Sequence, residues 1–229
     1  SLKKTVVTGH PSLRFPSMSI INKPFKYTFK NGTLYIVVAN ILVYVILQMF
    51  PNLYLHFAMF PPAIIYNHEY WQFFTYMFVH DYSSIQHIFF NMLGLLMFGI
   101  TVEKAVGTKE FCLLYFLSGI FCGIFSFLVY TLSGSFLVVL CGASGCLYAI
   151  LLAYAVIFPK SVISIWGILP VPAPLLVGIY AIIEITSQVF SLSGGVAHMT
   201  HLAGFLFTWL YFLIRMRINP WKVWTNAYR

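Results

Sequence analysis

The 229 residues are 60% hydrophobic and 8% charged, with a mean hydropathy of +0.87. A soluble domain of this length cannot cover itself with so few charges, so the chain reads as a one-domain, multi-pass membrane protein. Its formal charge of +8 does not indicate nucleic acid, because the basic residues punctuate the ends of apolar runs and do not gather on one soluble face.

In chain order, a basic N-terminal segment over residues 1–33 contains prolines but no signal-peptide core. Six apolar spans follow, near Leu34–Phe50, Ile85–Val102, Phe111–Leu132, Val138–Phe158, Val171–Val189 and Val196–Arg215, together forming a membrane domain over 34–215. The connection 51–84 is rich in aromatics and proline and carries only Glu69 and Asp81 as formal charges, so it is expected to lie in the headgroup interface. A basic tail over 216–229 ends the chain. Cys112, Cys122, Cys141 and Cys146 fall in apolar runs without metal-type spacing and read as small buried residues.

The lysines and arginines assign sidedness. They occupy the leading segment, the connections after spans two and four, and the tail. The connections 51–84, 133–137 and 190–195 hold none. All thirteen therefore fall on one side of a six-span arrangement, which predicts that both termini are cytoplasmic in a plasma (inner) membrane protein.

Polar side chains in the spans carry the functional reading, since an ionisable group at membrane depth is costly. Ser144 lies in Gly142-Ala143-Ser144-Gly145, about six residues into span four, which is roughly 9 Å below the span's start. His201, in span six, falls at a similar depth. His87 and Asn91 share one face of span two at i and i+4. Small residues at three-to-four spacing let helices approach closely. Gly142, Gly145, Ala149 and Ala153 on span four, with Ala197, Gly204 and Thr208 on span six, would bring Ser144 within reach of His201.

Hydroxyl plus imidazole is the chemistry of acyl transfer: the base accepts the hydroxyl proton, and aimed donors stabilise the oxyanion. Asn91, His87 and the Ser144 backbone N–H are candidate donors. No carboxylate stands at an obvious position to orient His201. Glu184 reads as a residue near an aqueous boundary and Glu103 lies at the far end of span two, so a Ser-His dyad is expected.

These residues resemble the rhomboid family of intramembrane serine proteases, in its bacterial six-helix form. The resemblance rests on His87-x-x-x-Asn91, on Gly142-Ala143-Ser144-Gly145 with Tyr148 four residues on, and on His201-x-x-Gly204. Val102-Glu103-Lys104 with Gly107, and the Phe158-Pro159 and Leu169-Pro170 boundaries, add to it. It covers most of the chain and implies an all-α, six-helix rhomboid-like bundle with an interfacial first outer loop. It further implies Ser144 as nucleophile, His201 as base, His87 and Asn91 as oxyanion-binding side chains, and Tyr148 as an aromatic supporting the histidine. Single-span transmembrane proteins would be cleaved near the outer leaflet, with no metal or organic cofactor. One departure is Trp71-Gln72, where the family carries Trp-Arg.

Other readings stay open on the sequence. His198 is a rival base three residues before His201, and Tyr148 could be a plain core aromatic. His56, His68 and His80 read as solvent- or headgroup-facing. A catalytically silent, client-binding member of the same fold, or a proton-coupled transporter using His201, His87 and Glu184, would share the hydropathy pattern.

Overall fold

The computed structural model describes residues 20–23, 25–165, 168–190 and 196–229. Most of the leading segment 1–33, and most of the connection 190–195, therefore lie outside the described residues. The chain is mostly helical. Four helices are long and apolar enough to cross a membrane: α1 (Gly32–Met49), α2 (Ile85–Val106), α3 (Thr108–Leu132) and α5 (Ala173–Phe190). Two further apolar helices, α4 (Ser144–Ile157) and α6 (Val196–Ile214), lie with them, and α7 (Pro220–Ala227) closes the chain.

Helices α3, α4 and α6 form the centre. Small side chains make this possible: Cys122, Cys146, Ala149, Ala153 and Ala155 are all essentially inaccessible. Helix α4 is apolar on every side and buried almost throughout, as a helix without a polar stripe must be. The lipid-facing sides of α1, α2 and α5 instead expose Val38, Leu42, Val45, Phe89, Phe90, Met97, Ile182 and Ile183. Helix α2 winds as a wider π turn over Leu95–Gly99, midway between its polar residues at either end. All four cysteines are free thiols.

Two sequence expectations need correction, and the tail adds a feature the sequence did not show. Span four does not begin as helix near Val138; α4 starts at Ser144, and the residues before it are turn and loop with a single bridge at Leu140. The fold is not wholly α-helical, since the connection after α4 forms an antiparallel hairpin of β1 (Val162–Ile165) and β2 (Leu169–Pro172). Its residues Val162, Ile163 and Ile165 are β-branched, and Pro170 and Pro172 are tolerated because a two-stranded ribbon has only edges. The tail is also ordered. Asn219 caps α7 by accepting from the Lys222 N–H at 3.2 Å, and Trp224 and Tyr228 donate to the carbonyls of Ala155 and Pro159 at the end of α4.

Two buried carboxylates fasten the helix ends opposite Ser144. Asn31 gives α1 no side-chain cap, which leaves its first N–H groups without partners. Glu103, fully buried at the end of α2, supplies one: it accepts from the Gly32 and Thr33 N–H groups at 2.7 and 2.9 Å and from the Thr33 hydroxyl at 2.8 Å. Thr108, first residue of α3, donates to the same carboxylate at 2.5 Å, so one side chain joins three helices. Glu110 accepts both Nε and Nη2 of Arg215 at 2.7 Å, with Tyr211 donating as well. Truncating Glu103 to Ala strands at least two buried backbone donors, each worth about 1–3 kcal/mol. Thermal unfolding in detergent is expected to show a loss of that size, and an unchanged midpoint would refute the account.

Candidate active site

The residues before α4 determine where its N-terminus sits. Met59 and Leu140 exchange two backbone hydrogen bonds at 2.9 Å, a single antiparallel bridge tying the 51–84 connection to the segment that leads into α4. Gly142 N–H then donates to the Tyr76 carbonyl at 3.1 Å. Gly142 adopts φ +113°, a conformation other residues rarely reach, and a Cβ there would lie 2.8 Å from His87 Nε2. The turn therefore needs glycine both for its backbone and for the ring pressed against it. Helix α4 is about 21 Å long against roughly 30 Å of hydrocarbon, so one end of it must lie below the membrane surface. Ser144 is the first residue of that helix, beside N–H groups that have no helical acceptor and at the positive end of the macrodipole. It is partly accessible, whereas Gly142, Ala143 and Gly145 around it are buried.

Close helix contact brings the imidazole to it. A Cβ at Gly204 would lie 2.3 Å from the Gly145 carbonyl oxygen, so α4 and α6 touch backbone to backbone one turn from His201. Thr200 and Ser126 share a hydrogen bond at 2.7 Å that joins α6 to α3 on the buried side. Ala197, also among the small residues expected at this contact, has a side chain outside the described set. With the helices so placed, His201 Nε2 is 2.8 Å from Ser144 Oγ. The Tyr148 ring stacks on the His201 ring at 4.2 Å between centroids and 8° between planes.

The expectation that no carboxylate orients His201 is overturned. Glu184 Oε1 lies 2.9 Å from His201 Nδ1, Oε2 lies 2.5 Å from His198 Nδ1, and the Tyr148 hydroxyl donates to Oε1. Glu184 is 5% exposed, so it does not sit at an aqueous boundary. Sequence reading missed it because neighbouring Thr186, Ser187 and Gln188 suggested a helix end, and because no spacing rule links α5 to α6 across an intervening connection. Each histidine thus has its own place: His201 bridges Ser144 and Glu184, while His198 takes the second carboxylate oxygen. Glu184, His198 and His201 are also residues whose ligand atoms lie within 4.8 Å of one another, close enough to hold a metal ion. Both carboxylate oxygens and both Nδ1 atoms are engaged in the hydrogen bonds just given.

On the other side of Gly142, His87 Nδ1 faces the Asp81 backbone N–H at 3.3 Å. A nitrogen that accepts carries no proton, so the His87 proton sits on Nε2, the atom against the Gly142 turn. Asp81 is itself held by Ser83, whose N–H and hydroxyl donate to Oδ1 at 2.9 and 2.7 Å; the Ser83 hydroxyl is the main reason its carboxyl titrates below the usual range. Asn91 is buried one turn further along α2. Its Nδ2 donates to the His87 carbonyl at 2.8 Å, and its Oδ1 takes no hydrogen bond among the described residues. Ser144, His201, Tyr148 and His87 are therefore gathered around one turn, with Asn91 beneath His87.

His80 corrects a further expectation: it is fully buried, with its ring 5.1 Å from that of His87. Burial, and secondarily the His87 ring, pull its pKa down to about 4. The 51–84 connection as a whole is accessible on one side only. Tyr66, Tyr70 and Trp71 are exposed, but Ala58, Met59, Gln72, Met77 and Val79 have essentially no accessible surface. Gln72, standing where the resemblance calls for a cation, anchors the segment without one. Its Oε1 accepts from the Phe60 N–H at 2.8 Å, and its Nε2 donates to the Leu55 carbonyl and to Glu69 at 2.9 and 2.6 Å.

Comparison with known families decides the kinship. The Rhomboid domain model matches residues 67–218, more than half of the chain. The chain belongs to the rhomboid family. The match runs from within the 51–84 connection to just past α6, and so takes in the Gly142 turn and every side chain around it. No curated protein matches the chain. Mostly helical, with at least four helices apolar enough to cross a bilayer, this rhomboid-family chain is a multi-pass membrane protein.

Two outcomes follow. Gly204→Val must push α6 from α4, and an ångström of misplacement costs about 10²-fold in reactivity. Fluorophosphonate labelling of Ser144 is expected to slow by that order, and labelling at the parental rate would refute the close-contact account. Because the folded protein holds His80 neutral down to about pH 4 while an unfolded chain protonates it near 6.5, stability is present above 6.5 and lost as pH falls toward 4. The loss is expected to reach up to about 3 kcal/mol. Melting curves across that range should flatten in His80→Asn.

Proposed function

We propose that this rhomboid-family chain is an intramembrane serine endopeptidase that cleaves membrane-protein substrates through Ser144 and His201. The observation carrying the reading is the 2.8 Å contact between the Ser144 hydroxyl and His201 Nε2 at a buried helix start. In the forward step, Oγ bonds to the scissile carbonyl carbon as its proton passes to Nε2. The C–N bond then breaks, and the imidazolium returns the proton to the leaving amine. Water repeats the sequence on the acyl-enzyme, freeing Ser144.

The developing oxyanion requires donors aimed at it, and three are assigned here. The Ser144 N–H at the start of α4 is one, the Nε2–H of His87 beside Gly142 is the second, and the Asn91 amide is the third. Tyr148 supports the base by covering one face of the His201 ring. Substrates are single-span transmembrane proteins whose helix unwinds near the outer leaflet, since a hydrogen-bonded helix hides the carbonyl that must be attacked. The distribution of lysine and arginine supports six spans with both termini in the cytoplasm of a plasma (inner) membrane protein.

A fluorogenic transmembrane reporter in proteoliposomes tests the proposal. Cleavage by Ser144→Ala and by His201→Ala is expected to fall at least about 10³-fold, with fluorophosphonate labelling lost in the serine variant. Undiminished cleavage by Ser144→Ala removes the protease reading. Reporter co-purification with no turnover by the parental chain would assign it to silent client binding instead.

A further inference from the structure

We infer that Glu184 is a positioning residue for the base, making a Ser144–His201–Glu184 relay from helices α4, α6 and α5; the inference rests on the protease reading above. A carboxylate is expensive to bury among apolar helices unless every lone pair facing protein is used. Here the side chain's hydrogen bonds go to His201, to the ring stacked on it and to His198. Oε1 accepts from His201 Nδ1 at 2.9 Å and from the Tyr148 hydroxyl, and Oε2 accepts from His198 Nδ1 at 2.5 Å.

Three consequences follow from proton accounting. An ionised carboxylate only accepts, so the His201 proton resides on Nδ1 and the Nε2 lone pair faces Ser144 Oγ. The wrong tautomer would aim N–H at the hydroxyl and could not take its proton. Secondly, the ring is held on two sides by the same group: Glu184 fixes its edge, and Tyr148, tied to Glu184, fixes its face. Thirdly, the imidazolium formed during attack has a negative charge within hydrogen-bond distance, in surroundings where water screens little. His198, on the second oxygen, keeps the carboxylate from turning away from His201. Glu184 touches neither substrate nor the reacting atoms and acts through His201.

The rival explanation is a tie that merely joins α4, α5 and α6, so the experiment needs readouts that a tie does not move. Parental, Glu184→Gln, Glu184→Asp, Tyr148→Phe and Ser144→Ala proteins are compared on the fluorogenic reporter and with a small fluorophosphonate. The His201 tautomer is read from the nitrogen shifts of ¹⁵N-histidine-labelled protein. Glu184→Gln keeps the shape but offers an N–H to Nδ1, so kcat is expected to fall about 10²–10⁴-fold. KM should stay within about threefold while the labelling rate falls in step with kcat. Glu184→Asp should recover part of the loss, and Tyr148→Phe should lose much less than Glu184→Gln. His201 should carry its proton on Nδ1 in the parental protein and on Nε2 in Glu184→Gln.

Parental kcat in Glu184→Gln overturns the inference, as does a fall matched only by lost folded fraction with the tautomer unchanged. If Glu184→Gln does not fold, the parental spectrum decides, and a proton on Nε2 of His201 overturns it. Activity retained by Ser144→Ala overturns the protease reading itself; a dead Ser144→Ala beside a fully active Glu184→Gln overturns only the role of Glu184.

Discussion

The contact between Gly204 and the Gly145 carbonyl is what everything else in the site requires. Transmembrane helices gain little from burying apolar surface against each other, because lipid tails are equally apolar; they associate where backbones fit closely. At Gly204 there is no room for even a methyl group. That approach sets the distance between a hydroxyl on α4 and an imidazole on α6. It also explains why the centre of the fold is built from Ala, Cys, Gly and Ser and why bulk is displaced to the periphery.

A second constraint is how polar groups are satisfied where water is scarce. Glu103 caps a helix that has no cap of its own, Glu110 is matched by a bidentate arginine, and Gln72 fills its site with three hydrogen bonds. Each replaces solvent by fixed partners, which is the condition for placing such groups in a bilayer protein at all. Glu184 obeys the same rule, but its partners are His201, the Tyr148 ring stacked on it, and His198. Its burial is thus the same physics put to a different use.

Hydropathy made most helices visible in the sequence, because an apolar run long enough to cross hydrocarbon is hard to mistake. It was blind to α4's true start. Val138, Val139 and Leu140 are as apolar as any helical residue, yet they lie outside α4, with Leu140 held in a single bridge to Met59. The tail helix was hidden in a basic segment whose aromatic residues dock on α4, and the hairpin in a loop too short to weigh. At the site, spacing within a helix pointed to His87 with Asn91 and to Ser144 with Tyr148. Gly204 announced its own close contact. Glu184 carried no such mark, since its partners come from two other helices, and a Thr-Ser-Gln run beside it suggested solvent. Sequence periodicity speaks for one helix at a time; the meeting of three is a property of packing.

The Met59–Leu140 bridge gives the 51–84 connection a mechanical part to play. The segment before Ser144 is tied by this bridge to a neighbour whose opposite side is exposed at Tyr66, Tyr70 and Trp71. Whatever surrounds those aromatics, lipid or detergent, is coupled through that one bridge to the turn that carries Ser144. Solvent choice during purification thereby becomes a variable of the site's geometry, and not only of the protein's solubility.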